Sequence, residues 1–288
     1  MPQDRLEASL DIDRRSTLEV VRLIQEQDRL VAGAAAREEE RIARAIDEIA
    51  ERLARGGRLF YAGAGTSGRI AMLDAAELPP TFGIEPSLVR VLMAGGERAY
   101  FAAAEGAEDD EAAAREAVDR NVKSGDALVG IAASGTTPYT VAAVRRAKER
   151  GAFTVGVTST PESPLAGEAD LAIVAQTGPE VILGSTRMKS GTAQKLILNA
   201  ISTGVMIRLG RVYSNLMIEM PMTNEKLRRR GERMVELAAG VSREVAARSL
   251  REAAGNVKLA AVMAKRGVAA EEARRLLAGR TLREVLEP

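Results

Sequence analysis

The chain has 288 residues, 46% hydrophobic but only 3% aromatic, enough for one large domain with an appendage or for two domains, around an aliphatic core. Its 41 basic and 40 acidic residues leave a formal charge of +1, which gives no electrostatic drive toward nucleic acid or a membrane surface. It contains no cysteine and no histidine, so disulfides, thiolate nucleophiles and cysteine-type zinc sites are excluded, and proton transfer falls to Glu, Asp, Lys, Tyr, backbone or water.

From about Ser16 to Arg55, Leu, Ile and Ala recur at helical spacing among Glu and Arg, which predicts two helices stopped by Gly56-Gly57. Apolar runs follow at 58–62, 88–93, 127–132, 153–157 and 170–174, mostly separated by helical segments. Alternating strands and helices predict an α/β protein with a mostly parallel sheet covered on both faces. Met188 to Leu209 reads as one long helix, and another is expected to begin near Thr223-Asn224-Glu225-Lys226, which offers a capping residue. Val241–Ala254, Val257–Ala264 and Ala269–Leu277 read as a small three-helix module broken by Gly255 and Gly267. The expected organisation is N-terminal helices over 1–55, a ligand-binding α/β domain over 56–239 and a helical module over 240–288. The N-terminus lacks a signal-peptide apolar region and no apolar run is long enough to span a bilayer, so a cytoplasmic protein is expected.

Two loops carry the chemistry. After the first run comes Gly63-Ala64-Gly65-Thr66-Ser67-Gly68-Arg69, and about seventy residues later, after the third, comes Ser134-Gly135-Thr136-Thr137-Pro138. Each is the layout of a strand feeding an anion cradle at a helix N-terminus. The first loop also satisfies the dinucleotide pattern. That reading, however, wants an acidic residue at the end of the second strand, where Met93-Ala94-Gly95-Gly96 stands instead. Hydroxyls at Thr66, Ser67, Ser134, Thr136 and Thr137 suit a terminal phosphate monoester, so a sugar phosphate is the preferred ligand and two simple tight turns the bland alternative. No cluster of ligands asks for a metal, and no cofactor is called for.

The paired loops resemble the sugar isomerase (SIS) domain. Further segments resemble one branch of it, the N-acetylmuramic acid 6-phosphate etherases: Leu73 to Thr81, Ala104 to Asp109, Gly184 to Lys195 and Thr223 to Leu227, in unbroken order. One departure is Thr136, where many members carry Arg. The resemblance implies a SIS-type three-layer sandwich and a carbon–oxygen lyase of peptidoglycan recycling, a homodimer whose site is completed by both subunits. It implies cleavage of the D-lactyl ether of N-acetylmuramic acid 6-phosphate, without metal or redox cofactor. Glu77 matches the family's general acid and Glu108 its second catalytic carboxylate.

Two glutamates suffice if their environments differ. Glu77 is expected to end a helix at Leu78-Pro79-Pro80, where the negative helix end disfavours ionisation, and Glu108 to start a helix over Asp109–Val122, where the dipole favours the anion. Glu105, one turn from Glu108 if the chain is helical there, is a candidate for sugar hydroxyls. Gly65 and Gly135 offer backbone donors, Glu180 a sugar contact or a structural turn, Lys226 a positive charge, and Asn224 a ligand contact or a helix cap. Competing readings are a non-catalytic sugar-phosphate sensor of the glucokinase-regulator type and an aldose–ketose isomerase. The second suffers from the absence of histidine.

Overall fold

In the computed structural model, which describes residues 4–102, 104–222 and 224–287, the apolar runs form the strands of one sheet. Two helices come first, α1 (Thr17–Ala36) and α2 (Glu39–Ala54); Ser16 and Glu19 close a capping box on α1. Then follow β1 (Leu59–Gly63), α3 (Gly65–Phe82), β2 (Val89–Met93), α4 (Glu111–Asn121), β3 (Ala127–Ile131), α5 (Pro138–Glu149), β4 (Phe153–Thr158), α6 (Pro164–Glu168), β5 (Leu171–Val174) and α7 (Lys189–Arg208). The sheet is parallel throughout, in the order β2-β1-β3-β4-β5. Strands β1, β3 and β4 are buried along their whole length, which is why they read as continuous apolar runs rather than alternating ones.

The chain divides into two compact units, Met1–Ala76 with Ser87–Val205, and Glu77–Pro86 with Met206–Pro288. In the first, Phe60, Ala62 and Leu128 point to the face covered by α4 and α5, where Val118 and Val144 complete the core. Tyr61 points to the opposite face and donates to Asp74 on α3 at 2.8 Å, while Asn199 and Ser202 on α7 donate to the other oxygen of that carboxylate at 2.6 and 2.9 Å. Nearby, Gly204 on α7 lies against Ile46 on α2. The strand order reverses between β1 and β3, which pair with Gly63 opposite Ile131. A parallel sheet opens a crevice at the carboxyl ends of strands on either side of such a reversal.

In the second unit, β6 (Val212–Tyr213) and β7 (Leu216–Met217) form a short hairpin that hydrophobic periodicity does not reveal. The helices α8 (Glu225–Ala239), α9 (Arg243–Glu252), α10 (Val257–Arg266), α11 (Ala270–Leu277) and α12 (Leu282–Leu286) enclose a core of Ile218, Val235, Leu250, Val262 and Leu286. The three helical segments expected beyond residue 240 are present. To them the structure adds α12, started by a Thr281–Glu284 capping box, and α8 shares their core. Thr223, the first residue of the expected cap, lies outside the described residues.

One helix differs from expectation. Pro79 and Pro80 do not end α3, which runs on to Phe82. Each proline removes one rung of the helical ladder. Leu78 and Phe82, 3% and 6% exposed, are buried on either side, and burial worth about 1.5–3 kcal/mol per large side chain keeps the turn helical.

Candidate active site

The first loop is shaped by the close approach of α3 to the strand ends. A side chain at Gly68 would sit 2.1 Å from the sulfur of Met93 and 2.8 Å from the carbonyl of Gly63, so only glycine lets the helix start so near β1 and β2. Ser67 is then nearly buried and Thr66 half-buried in the first turn of α3, whose leading N–H groups have no carbonyl of their own helix to bond. Gly65 carries the left-handed φ of +52° that turns the chain into this helix.

The second loop is braced from β4. The N–H of Ser159 donates to Ala133 at 3.0 Å, and that of Leu165 to Gly135 at 2.9 Å. Gly135 has φ +68°, and a Cβ there would lie 2.1 Å from the Ser163 hydroxyl. The Ser134 hydroxyl accepts the Thr136 N–H at 3.2 Å and pairs with the Thr136 hydroxyl at 2.9 Å. Thr137 is the residue before α5, with Pro138 at its first position. Both loops therefore start helices at the carboxyl ends of neighbouring strands.

At the first loop a cavity of about 240 Å³ is lined by Gly65, Arg69, Glu105 and Glu108 together with Ala94, Ala99, Ala104 and Ala107. Glu105 and Glu108 reach it by a route the sequence does not predict. Glu108 belongs to a separate 3-10 turn, Ala107–Asp109, after Gly106 at φ +72°, while α4 is capped by Asp110, whose carboxylate accepts the Ala113 N–H at 2.8 Å. The chain is not helical from Glu105 to Glu108, and the dipole of α4 does not act on Glu108 from its first turn. Nor does the helix-end argument hold for Glu77, which lies more than one turn before the end of α3 and is exposed.

The remaining candidates separate. Glu180 is completely buried; its two carboxylate oxygens accept the N–H groups of Lys189 and Ser190 at 3.0 and 2.9 Å. That is a cap on α7, leaving Glu180 in its structural role. Asn224 caps α8 through the Leu227 N–H at 2.9 Å, and Lys226 is exposed in the first turn of that helix. Glu77, Asn224 and Lys226 belong to the second compact unit, the other candidates to the first.

Three perturbed groups lie deeper. Burial pushes the Asp74 carboxyl up in spite of its three donors, and burial beside that carboxylate raises the Tyr61 phenol well above its ordinary range. The ammonium of Lys189, which donates to Gln27 at 2.8 Å, is held below the usual lysine range by burial. Among the described residues, no group of three or more acidic side chains is arranged to hold a metal ion, and no helix is long and apolar enough to cross a membrane.

A three-layer α/β unit with hydroxyl-bearing loops at the strand reversal is the SIS domain, and the family model of that domain matches residues 23–159. Phosphoheptose isomerases from Neisseria gonorrhoeae and Francisella tularensis share the fold, each with a TM-score of 0.50, at 20% and 16% identity over 65% and 66% of this chain and 96% and 100% of theirs. In sequence, the chain is 57% identical to the N-acetylmuramic acid 6-phosphate etherase of Symbiobacterium thermophilum over 92% of its own length and 89% of the relative's. It is 49% identical to that of Clostridium beijerinckii over 94% and 90%. The chain belongs to the N-acetylmuramic acid 6-phosphate etherases, a family of carbon–oxygen lyases.

Proposed function

We propose that this chain cleaves the D-lactyl ether of N-acetylmuramic acid 6-phosphate, giving N-acetylglucosamine 6-phosphate and D-lactate. The observation that carries the reading is the cavity shared by Gly65, Glu105 and Glu108. It joins a phosphate-type helix start to two carboxylates in one cavity of about 240 Å³.

The ether oxygen is on C3. With the ring open, C1 is an aldehyde and the C2 proton is acidic. Glu108 removes that proton while Glu77 protonates the departing lactyl oxygen, and the C3–O bond breaks to leave an unsaturated aldehyde. Water then adds at C3 and a proton returns to C2, so each glutamate finishes as it began. The backbone N–H of Gly65 and the hydroxyls of Thr66, Ser67, Ser134, Thr136 and Thr137 hold the 6-phosphate, with the start of α3 supplying the helix dipole, while the Gly135 N–H, which donates to the Ala132 carbonyl at 3.1 Å, shapes the second loop instead. Glu105 receives sugar hydroxyls, and Lys226 contributes positive charge toward the substrate. Glu180 and Asn224, both committed to helix caps, drop out of direct sugar contact in this scheme.

The working form in this reading is a cytoplasmic homodimer with a site completed across subunits. Exposed Leu18, Val21 and Leu30 on α1 and Leu73 on α3 supply apolar surface for such an association. The direct test is incubation of the purified protein with N-acetylmuramic acid 6-phosphate and assay of D-lactate. Binding of the sugar phosphate without lactate release would point to a sensor instead.

A further inference from the structure

Arg69 follows the first glycine loop, where a guanidinium reads at first sight as a phosphate ligand. Its side chain is engaged elsewhere. Its Nε donates to the carbonyls of Ala99 and Tyr100, both at 3.2 Å, and its Nη2 to that of Ala102 at 3.0 Å. Three carbonyls from four consecutive residues thus converge on one cation about thirty positions earlier in the chain.

These carbonyls belong to the segment that connects β2 to α4 and carries Glu105 and Glu108. The segment contains two short 3-10 turns, Glu97–Tyr100 and Ala107–Asp109. Its large apolar side chain, Phe101, is 93% exposed and anchors nothing. On the inner side the methyl groups of Ala99, Ala104 and Ala107 lie against Gly95, and Ala107 packs on the core beneath α4 and α5. Hydrogen bonds from a charged donor are roughly twice as strong as neutral ones, so the guanidinium is a strong tie between this segment and α3.

We propose that Arg69 is a positioning residue: it fastens the segment of Glu105 and Glu108 to the second turn of α3, so that one element sets both the phosphate loop and the position of the two carboxylates. The catalytic part of this proposal rests on the lyase reading; the anchoring part does not. A lysine cannot replace the fork, because a single ammonium does not present the planar, rigidly spaced donors that these three carbonyls accept.

The test compares wild type with Arg69→Ala and Arg69→Lys by D-lactate kinetics and by amide hydrogen exchange. The expected result is a kcat at least roughly tenfold lower in both variants with KM changed no more than about threefold, the pattern of displaced catalytic groups rather than lost substrate binding. Exchange should accelerate across residues 97–110 and stay unchanged in β1, β3 and β4. Added millimolar guanidinium should restore part of the kcat of Arg69→Ala and leave wild type unaffected. Unchanged exchange at 97–110, or a loss confined to KM, overturns the proposal, the second outcome marking Arg69 as a direct ligand of the substrate. If Arg69→Ala does not fold, Arg69→Lys carries the same comparison. If the wild type itself releases no lactate, the lyase reading fails, and the exchange measurement alone decides whether Arg69 is the anchor.

Discussion

Tyr61 donates to Asp74 at 2.8 Å inside the first compact unit, joining the middle of β1 to the third turn of α3. With Asn199 and Ser202 it makes Asp74 the acceptor of a closed polar network that fixes α3, and hence the first loop, against β1 and α7. Replacing Asp74 by Ala leaves three donors without their acceptor. The expected cost is roughly 3 kcal/mol, read as a fall in the midpoint of urea or thermal unfolding.

The same residue sets a pH dependence. Burial raises the folded-state pKa of Asp74 above its unfolded value, so the folded chain binds this proton more tightly. Stability from this group is present below the unfolded carboxylate range and is lost as pH rises through the raised pKa, after which the loss is constant. Asp74→Asn removes the titration. Its stability relative to wild type should therefore rise with pH across that window and level off above it. A flat difference between the two proteins would show that the carboxyl is not perturbed.

Glu180 is expected to matter for folding rather than turnover. Its loss exposes two buried N–H groups at the start of α7. Glu180→Ala should lose about 2 kcal/mol of stability, with KM for the sugar phosphate within about twofold of wild type at a temperature where it is folded. A large rise in KM with intact stability would return Glu180 to the sugar site.

The two loops make separable predictions. Ser67→Ala and Ser134→Ala should each weaken sugar-phosphate binding by about tenfold, the worth of one hydrogen bond to a charged group, as measured by KM or by calorimetry with N-acetylglucosamine 6-phosphate. Gly135→Ala should be worse, because the added methyl meets Ser163 at a backbone angle that disfavours alanine. Both folding stability and phosphate affinity should fall in that variant.

What could be read from the sequence follows from how each part is held. Strands β1, β3 and β4 are buried on both faces and so appear as unbroken apolar runs; the loops after β1 and β3 carry glycine and hydroxyls because helices start there. The extension of α3 past Pro79 was hidden because local proline chemistry argues for a stop, whereas the buried Leu78 and Phe82 decide otherwise. Glu180 escaped recognition as a cap because it precedes its helix by nine residues, where the local capping signature uses three. The segment 97–110 has no periodicity to read, and the residue that ties it down, Arg69, comes from another element altogether.

In the proposed reaction Glu108 abstracts and returns the proton at C2 while Glu77 protonates the lactyl oxygen that leaves C3. The most direct measurement is turnover of N-acetylmuramic acid 6-phosphate in D2O by wild type, Glu77→Gln and Glu108→Gln, with D-lactate assayed and the sugar product examined by mass spectrometry and NMR. Wild type should give D-lactate and one deuterium at C2, and each folded variant should release lactate at least about a thousandfold more slowly. Product without deuterium at C2, or near-normal release from either variant, would contradict the proposed reaction.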